Sequence, residues 1–273
     1  MVEPHADGAY ALRCIALTPE IVFGDVDGNL DRIAHSLDEA GGRGRQLIVA
    51  TELATSGYVF TDRDEAAGLA MTRDDPRWDR VTRRLGAGTV AVVGFCETLD
   101  GELYNSAAVL SRGGVDAVYR KSHLWADEKK VFRPGPSAGL VVDTAIGRVG
   151  VAICYDNEFP EVPRRLALAG ADVLALPVNW PLVARPDGER APELIQAMAA
   201  ARSSRLPTVI ADRTGTERGV VWTGGTAVID GDGWIVASGD GPFTAADVAV
   251  APGHKALGEL NDLFADRRID LYG

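Results

Sequence analysis

Cysteine, methionine and histidine are scarce, at three, three and four residues in a chain of 273. Cysteines at positions 14, 96 and 154 do not build a secreted disulfide framework, and none has the C-x-x-C spacing of a metal motif. A reducing, cytoplasmic setting is the default expectation. The histidines are scattered and form no ligand pattern with acidic neighbours, so no metal is expected. Basic residues are also in the minority, 28 against 39 acidic, for a net charge of -11. Such a field repels phosphate backbones and anionic headgroups, which argues against nucleic-acid and membrane partners. Lys129-Lys130 beside Asp127-Glu128, and Arg267-Arg268 after Asp266, read as solvated or paired surface charge.

Long apolar runs are missing as well: no stretch approaches the roughly 20 residues that cross a bilayer. The opening Met1-Val2-Glu3-Pro4-His5 is not followed by an export-signal pattern. There is no G-x-G-x-x-G or phosphate-loop lysine, and Gly224-Gly225 lies between strands, so no nucleotide cofactor is expected. Without a linker, a repeat or a low-complexity tract, residues 1–273 are expected to fold as a single domain. At 46% hydrophobic residues the chain can bury a sizeable core.

What is present is an alternation of Val/Ile-rich runs with amphipathic segments. Residues 12–17, 46–50, 90–95, 149–153, 171–177, 209–211, 226–229 and 234–237 read as strands. Residues 103–110 and 115–119 flank Ser111-Arg112-Gly113-Gly114 as a hairpin. Leu30, Ile33, Ala34, Leu37 and Ala40 repeat at helical spacing, with Asp27 or Asn29 as the cap and Gly41-Gly42-Arg43-Gly44 as the turn that follows. Residues 158–168 and 192–205 are expected as helices, the second burying Leu194, Ile195, Met198 and Ala201. So many strands, with hairpins among them, argue against a doubly wound parallel sheet. Two mixed β-sheets packed face to face with helices outside, a four-layer α/β sandwich of α-β-β-α order, account for the pattern.

Three segments carry chemistry. In Val151-Ala152-Ile153-Cys154-Tyr155-Asp156-Asn157-Glu158 an apolar strand delivers Cys154 to its C-terminal end. Its sulfur can be exposed there, and the Tyr155 N–H can face a developing oxyanion. A buried strand cysteine would also fit that segment alone. In Thr51-Glu52-Leu53 a carboxylate ends a hydrophobic strand, where burial would raise its pKa and suit it to move protons. A turn carboxylate is the bland alternative. In Tyr119-Arg120-Lys121-Ser122-His123 the ammonium of Lys121 closes the hairpin. It is either an edge-strand lysine or a fixed charge for an oxyanion, one that also favours the Cys154 thiolate.

Together these segments resemble the nitrilase, or carbon-nitrogen hydrolase, superfamily. The resemblance spans nearly the whole chain and extends to Phe132-Arg133-Pro134-Gly135, Asn179-Trp180-Pro181 and the ending Asn261-Asp262-Leu263-Phe264. It implies a Glu52-Lys121-Cys154 catalytic site without metal or organic cofactor, and a homodimer or larger homo-oligomer. It also implies that Glu128 orients Lys121 or the substrate amide, although Asp127 is adjacent. Residues 258–273 fit either a contact with a partner subunit or packing on their own sheet.

Tyr155-Asp156 after the cysteine resembles the amidase branches. The nitrile-cleaving branch tends to place Trp-Glu there. The expected substrate is a small carboxamide, with N-carbamoyl compounds and then nitriles as alternatives, and a non-catalytic binding protein on the same fold as the other class. Trp180, with Asn179, is a candidate pocket residue or simply packs the core, and Tyr58, Trp125 and Trp222 are further candidates. Arg213 fits a substrate carboxylate or an internal salt bridge. Residues 185–190 read as a loop near the entrance. His123 lacks a protease signature around Cys154 and reads as a turn residue.

Overall fold

The computed structural model describes residues 8–41 and 44–272. Two expectations therefore lie outside the described residues: the reading of the extreme N-terminus, and Gly42-Arg43 of the turn after the first helix. Among the described residues no helix is long and apolar enough to cross a membrane.

The first part of the chain runs β1 (Tyr10–Leu17), α1 (Val26–Ala40), β2 (Gln46–Ala50), α2 (Arg63–Leu69), α3 (Asp79–Thr82), β3 (Thr89–Leu99), β4 (Glu102–Ser111) and β5 (Gly114–Arg120). It continues through α4 (Glu128–Val131), β6 (Leu140–Thr144), β7 (Gly147–Val151), α5 (Glu161–Leu168), β8 (Val173–Pro177), α6 (Pro192–Ser204) and β9 (Thr208–Ala211). The last strands are β10 (Thr216–Glu217), β11 (Val220–Val221), β12 (Ala227–Ile229), β13 (Ile235–Ser238) and β14 (Phe243–Val250).

Two six-stranded sheets result, ordered β14-β1-β2-β3-β4-β5 and β13-β12-β9-β8-β7-β6. In the first, β1, β2 and β3 are parallel, with antiparallel β14 on one side and the β4–β5 hairpin on the other. In the second, β7, β8 and β9 form the parallel centre. The expected sandwich of two mixed sheets between helices is the one observed.

Strand periodicity explains the layering. Leu12, Cys14 and Ala16 of β1 share a core cluster with Leu174, Leu176 and Val209 of the opposite sheet. The alternate residues Ile15 and Leu17 belong to a second cluster, with Leu30, Ile33 and Leu37 of α1. Burying a side chain such as Leu30 contributes roughly 1.5–3 kcal/mol relative to exposure.

Several local expectations change. The cap of α1 is Asp25, whose side chain accepts from Gly28 N–H. Asn29 is instead buried, and its amide bonds the backbone of Val22 and Thr55. The segment after Cys154 is a 3-10 turn over Cys154–Glu158, and α5 begins only at Glu161. On α6 the buried face is Leu194, Ala197, Ala200, Ala201 and Ser204, whereas Ile195 is exposed. Small residues on that face let the helix pack against α5 and the turn after Cys154. Phe264 packs against the core, while Leu260, Leu271 and Tyr272 are exposed.

Candidate active site

The C-terminal ends of the parallel strands converge on one region. Glu52 follows β2, and the turn it enters puts Leu53 at φ +48°. That turn lies directly on β3: a Cβ on Gly94 would sit 2.4 Å from the Thr51 carbonyl oxygen and 2.6 Å from Glu52 Cα. A glycine is required there because the obstructing atoms are backbone and cannot rotate away. Lys121 follows β5, fixed by its N–H donating to Asn105 O at 2.9 Å and by its carbonyl accepting from Gly135 N–H at 2.7 Å. Cys154, two residues beyond Ala152, has φ +46°, a left-handed conformation unusual for a residue with a Cβ.

Asp156 holds that bend. Its buried carboxylate accepts from Ile153 N–H at 3.0 Å, Tyr119 Oη at 2.7 Å, Ser122 Oγ at 2.9 Å and His123 N–H at 3.0 Å. The Cys154 turn is thereby tied to the segment that carries Lys121. His123 Nδ1 lies 2.7 Å from the same carboxylate, and its ring stacks on Phe159 with centroids 3.9 Å apart. His123 is thus a turn residue supporting Asp156.

Lys121 Nζ donates to Glu52 Oε1 at 2.6 Å and to Glu128 Oε1 at 2.8 Å, with all three side chains buried. Asn105 Nδ2 donates to Glu52 Oε1 at 2.7 Å, and Tyr58 Oη to Glu128 Oε1 at 2.5 Å. The other Glu52 oxygen, Oε2, is buried with no hydrogen-bond partner among the described residues. Glu128, and not Asp127, therefore joins the lysine; Asp127 is exposed and pairs with Lys130 at 2.8 Å. Cys154 Sγ lies 3.9 Å from the Asn179 carbonyl oxygen, and Asn179 Nδ2 donates to the Glu52 carbonyl at 2.8 Å.

Burial pushes Glu52 up; the Lys121 ammonium pulls it back and Glu128 pushes it further, leaving it at about 7. Burial works against the charge on Lys121, but Glu128 and Glu52 outweigh it and hold the ammonium well above the usual lysine range. Burial, followed by the charge of Glu52, raises the Cys154 thiol well above its ordinary value, and Lys121 only partly offsets this. The expected pull of Lys121 toward a thiolate is present but loses. Together these favour the thiol form of Cys154 over the thiolate.

Two cavities open here. The one at Cys154, about 110 Å³, is lined by Trp125, Tyr155, Glu158, Trp180, Pro181 and Glu193 in addition to the cysteine. A larger one, about 280 Å³, reaches Glu128 between Tyr58, Trp125, Phe132 and Val220. Trp180, Trp125 and Tyr58 thus face cavities, whereas the Asn179 side chain is spent on Glu52. Trp222 is buried edge-on against Tyr58 at 5.4 Å. Arg213 forms the internal salt bridge, 2.6 Å from Glu217. Of the loop expected at the entrance, Glu189 and Arg190 border a separate depression with Trp234. The signal for Asn105 in the sequence is the polar pair Asn105-Ser106 inside an apolar strand.

The carbon-nitrogen hydrolase family profile matches residues 12–251. A nitrilase of Pyrococcus abyssi is 34% identical over 268 residues, covering 94% of this chain and 97% of that protein. An N-carbamoylputrescine amidase of Arabidopsis thaliana is 30% identical over 273 residues, covering 91% and 90%. The crystal structure of an amidase from Nesterenkonia sp. superposes with a TM-score of 0.76 at 25% identity, covering 95% of this chain and 94% of that one. With this fold and these relatives, the chain belongs to the carbon-nitrogen hydrolase family, in the amidase-like branch of the nitrilase superfamily.

Proposed function

We propose that this carbon-nitrogen hydrolase converts a small carboxamide to its carboxylic acid and ammonia through a thioester on Cys154. The observation that carries the reading is the buried Lys121 ammonium bracketed by Glu52 and Glu128 beside a cysteine held in a left-handed turn.

The amide carbonyl carbon lies at Cys154 Sγ, with its oxygen between Lys121 Nζ and the Tyr155 N–H. Glu52, through its unpartnered Oε2, takes the thiol proton as sulfur attacks, and passes it to the departing nitrogen so that ammonia leaves. Water enters in its place, Glu52 deprotonates it, and hydrolysis of the thioester frees the acid and the thiol. Glu128 fixes the Lys121 ammonium and meets the substrate amide from the larger cavity. Trp180 and Trp125 wall the acyl group.

A second reading, hydrolysis of an N-carbamoyl amine to ammonia, carbon dioxide and the amine, is favoured by the similarity to N-carbamoylputrescine amidase. Tyr155-Asp156 after the nucleophile supports either over a nitrile. Assembly as a homodimer or larger homo-oligomer, with residues 258–272 at the contact, belongs to the same proposal and is supported by the exposed Leu271 and Tyr272.

Ammonia release from matched amides, N-carbamoyl compounds and nitriles, measured with intact protein and Cys154→Ala, tests the reading. Amide turnover that vanishes in the variant is the expected result. Carbon dioxide release with the carbamoyl compounds alone selects the second reading. Turnover that survives Cys154→Ala would sink both.

A further inference from the structure

The wall of the Cys154 cavity has a chemistry the reaction itself does not call for. Two carboxylates, Glu158 and Glu193, line it together with three aromatic side chains, Trp125, Tyr155 and Trp180, and no lysine or arginine among the described residues does. Oε2 of Glu193 is shut away from solvent without a hydrogen-bond partner among the described residues. Trp125 and Tyr155 meet edge to face, with centroids 4.9 Å apart. Aromatic faces combined with free carboxylates form a setting for an organic cation: the ring quadrupoles attract it, and the carboxylates accept charge-assisted hydrogen bonds.

Taking amide or N-carbamoyl hydrolysis at Cys154 as the reaction, we propose that this cavity selects substrates whose end remote from the scissile bond is an alkylammonium, seated between Glu158 and Glu193 against the aromatic wall.

Two features of the charge distribution support this. Burial and then the charge of Glu193 raise Glu158 above the ordinary carboxylate range. Glu158 is exposed and Glu193 partly buried beside the same small cavity, where their like charges repel and a cation between them relieves the repulsion. Lys121, the cation nearest the nucleophile, is already engaged by Glu52 and Glu128, so it offers nothing to a substrate's remote carboxylate. The place of Glu193 in the first turn of α6 suits the helix dipole and accounts for that residue alone. It does not account for Glu158, which comes from a different element and faces the same space.

The test separates binding from turnover. Titration calorimetry of Cys154→Ala protein with 4-aminobutanamide, pentanamide and 4-carbamoylbutanoate compares a cation, a neutral isostere and an anion of similar length. The cation should bind about tenfold more tightly than the neutral amide, and the anion more weakly than either. Glu158→Gln and Glu193→Gln, each added to Cys154→Ala, should shrink the cation's advantage, and together remove it. Equal binding of cation and neutral isostere, preference for the anion, or an advantage that survives the double substitution would overturn the proposal. Ammonia release from pentanamide by the intact protein tests the hydrolase reading separately. Absence of release from 4-aminobutanamide as well, beside a charge-dependent binding difference, would remove the reaction and keep the cation subsite.

Discussion

Asn179 Nδ2 donates to the Glu52 carbonyl at 2.8 Å, so a residue that follows β8 in one sheet fixes the backbone of a residue that follows β2 in the other. Glu52 N–H doubles the tie by donating to Val178 O at 3.4 Å. Because the Asn179 carbonyl also lies 3.9 Å from Cys154 Sγ, the proposed base and the proposed nucleophile take their spacing from one residue. Asn179→Ala leaves a buried carbonyl without its donor and should cost about 1–3 kcal/mol of stability. It should also lower kcat more than it raises KM. Urea unfolding and steady-state kinetics check both, and an unchanged kcat would mean that the spacing is set elsewhere.

Lys121 neutralises two buried carboxylates at once. Lys121→Met keeps the bulk but strands Glu52 and Glu128 without a cation, which should cost about 3–5 kcal/mol at neutral pH. Turnover should fall at least about a hundredfold, since the oxyanion then loses its main charge partner. Lys121→Arg should not restore it, because a planar guanidinium cannot occupy the same point between two carboxylates. Thermal unfolding and ammonia release read the two effects. Near-wild-type activity in either variant would remove Lys121 from the mechanism.

Glu52 links activity and stability to pH with opposite signs. Its folded pKa, about 7, lies above the ordinary carboxylate value, so the fold favours the protonated form. Its contribution to stability is complete below roughly pH 4.3 and is lost as pH rises through the folded value, a change of order a few kcal/mol. Activity needs the carboxylate and should rise across that window. The acid limb of a kcat/KM profile is expected near pH 7 as a macroscopic value of the coupled site. Unfolding free energies from pH 5 to 8 should fall less steeply in Glu52→Gln than in the wild type. Parallel slopes would show that Glu52 ionises normally in the fold.

The residues legible in the sequence are those that end apolar strands. Glu52, Lys121 and Cys154 each interrupt a hydrophobic run with a polar group at a place where strand geometry leaves little freedom. Glu128 is legible only through the family resemblance, since Asp127 has the same charge and lies next to it. Only the fold shows that Asp127 points to solvent and Glu128 inward. Asp156 looks like an ordinary turn residue until its partners arrive from Tyr119, Ser122 and His123. Ile195 is exposed although its hydrophobicity marks it as a core position, because the buried face of α6 runs along Leu194, Ala197, Ala200 and Ala201. β14 escaped notice because Ala245, Ala246 and Asp247 dilute its alternation, although its pairing with β1 fixes it firmly. Glu158 and Glu193 are too far apart in sequence to suggest one cavity.

Thiol labelling decides how Cys154 is activated. Cys14 and Cys96 are fully buried, and burial pushes Cys96 up to about 12, so both should resist iodoacetamide in the folded protein. Cys154 lines a cavity and should react first. The informative comparison is Glu52→Gln. Were Glu52 only a nearby negative charge, removing it would lower the Cys154 pKa, enlarge the thiolate fraction and speed labelling. Were Glu52 the base that accepts the thiol proton, the same substitution would leave a neutral thiol with no acceptor in a buried site, and labelling would slow. The mechanism requires the second result. Mass-spectrometric rates for Cys154 in the two proteins, taken at one pH above 7, give the sign directly, and faster labelling in Glu52→Gln would rule out the base role.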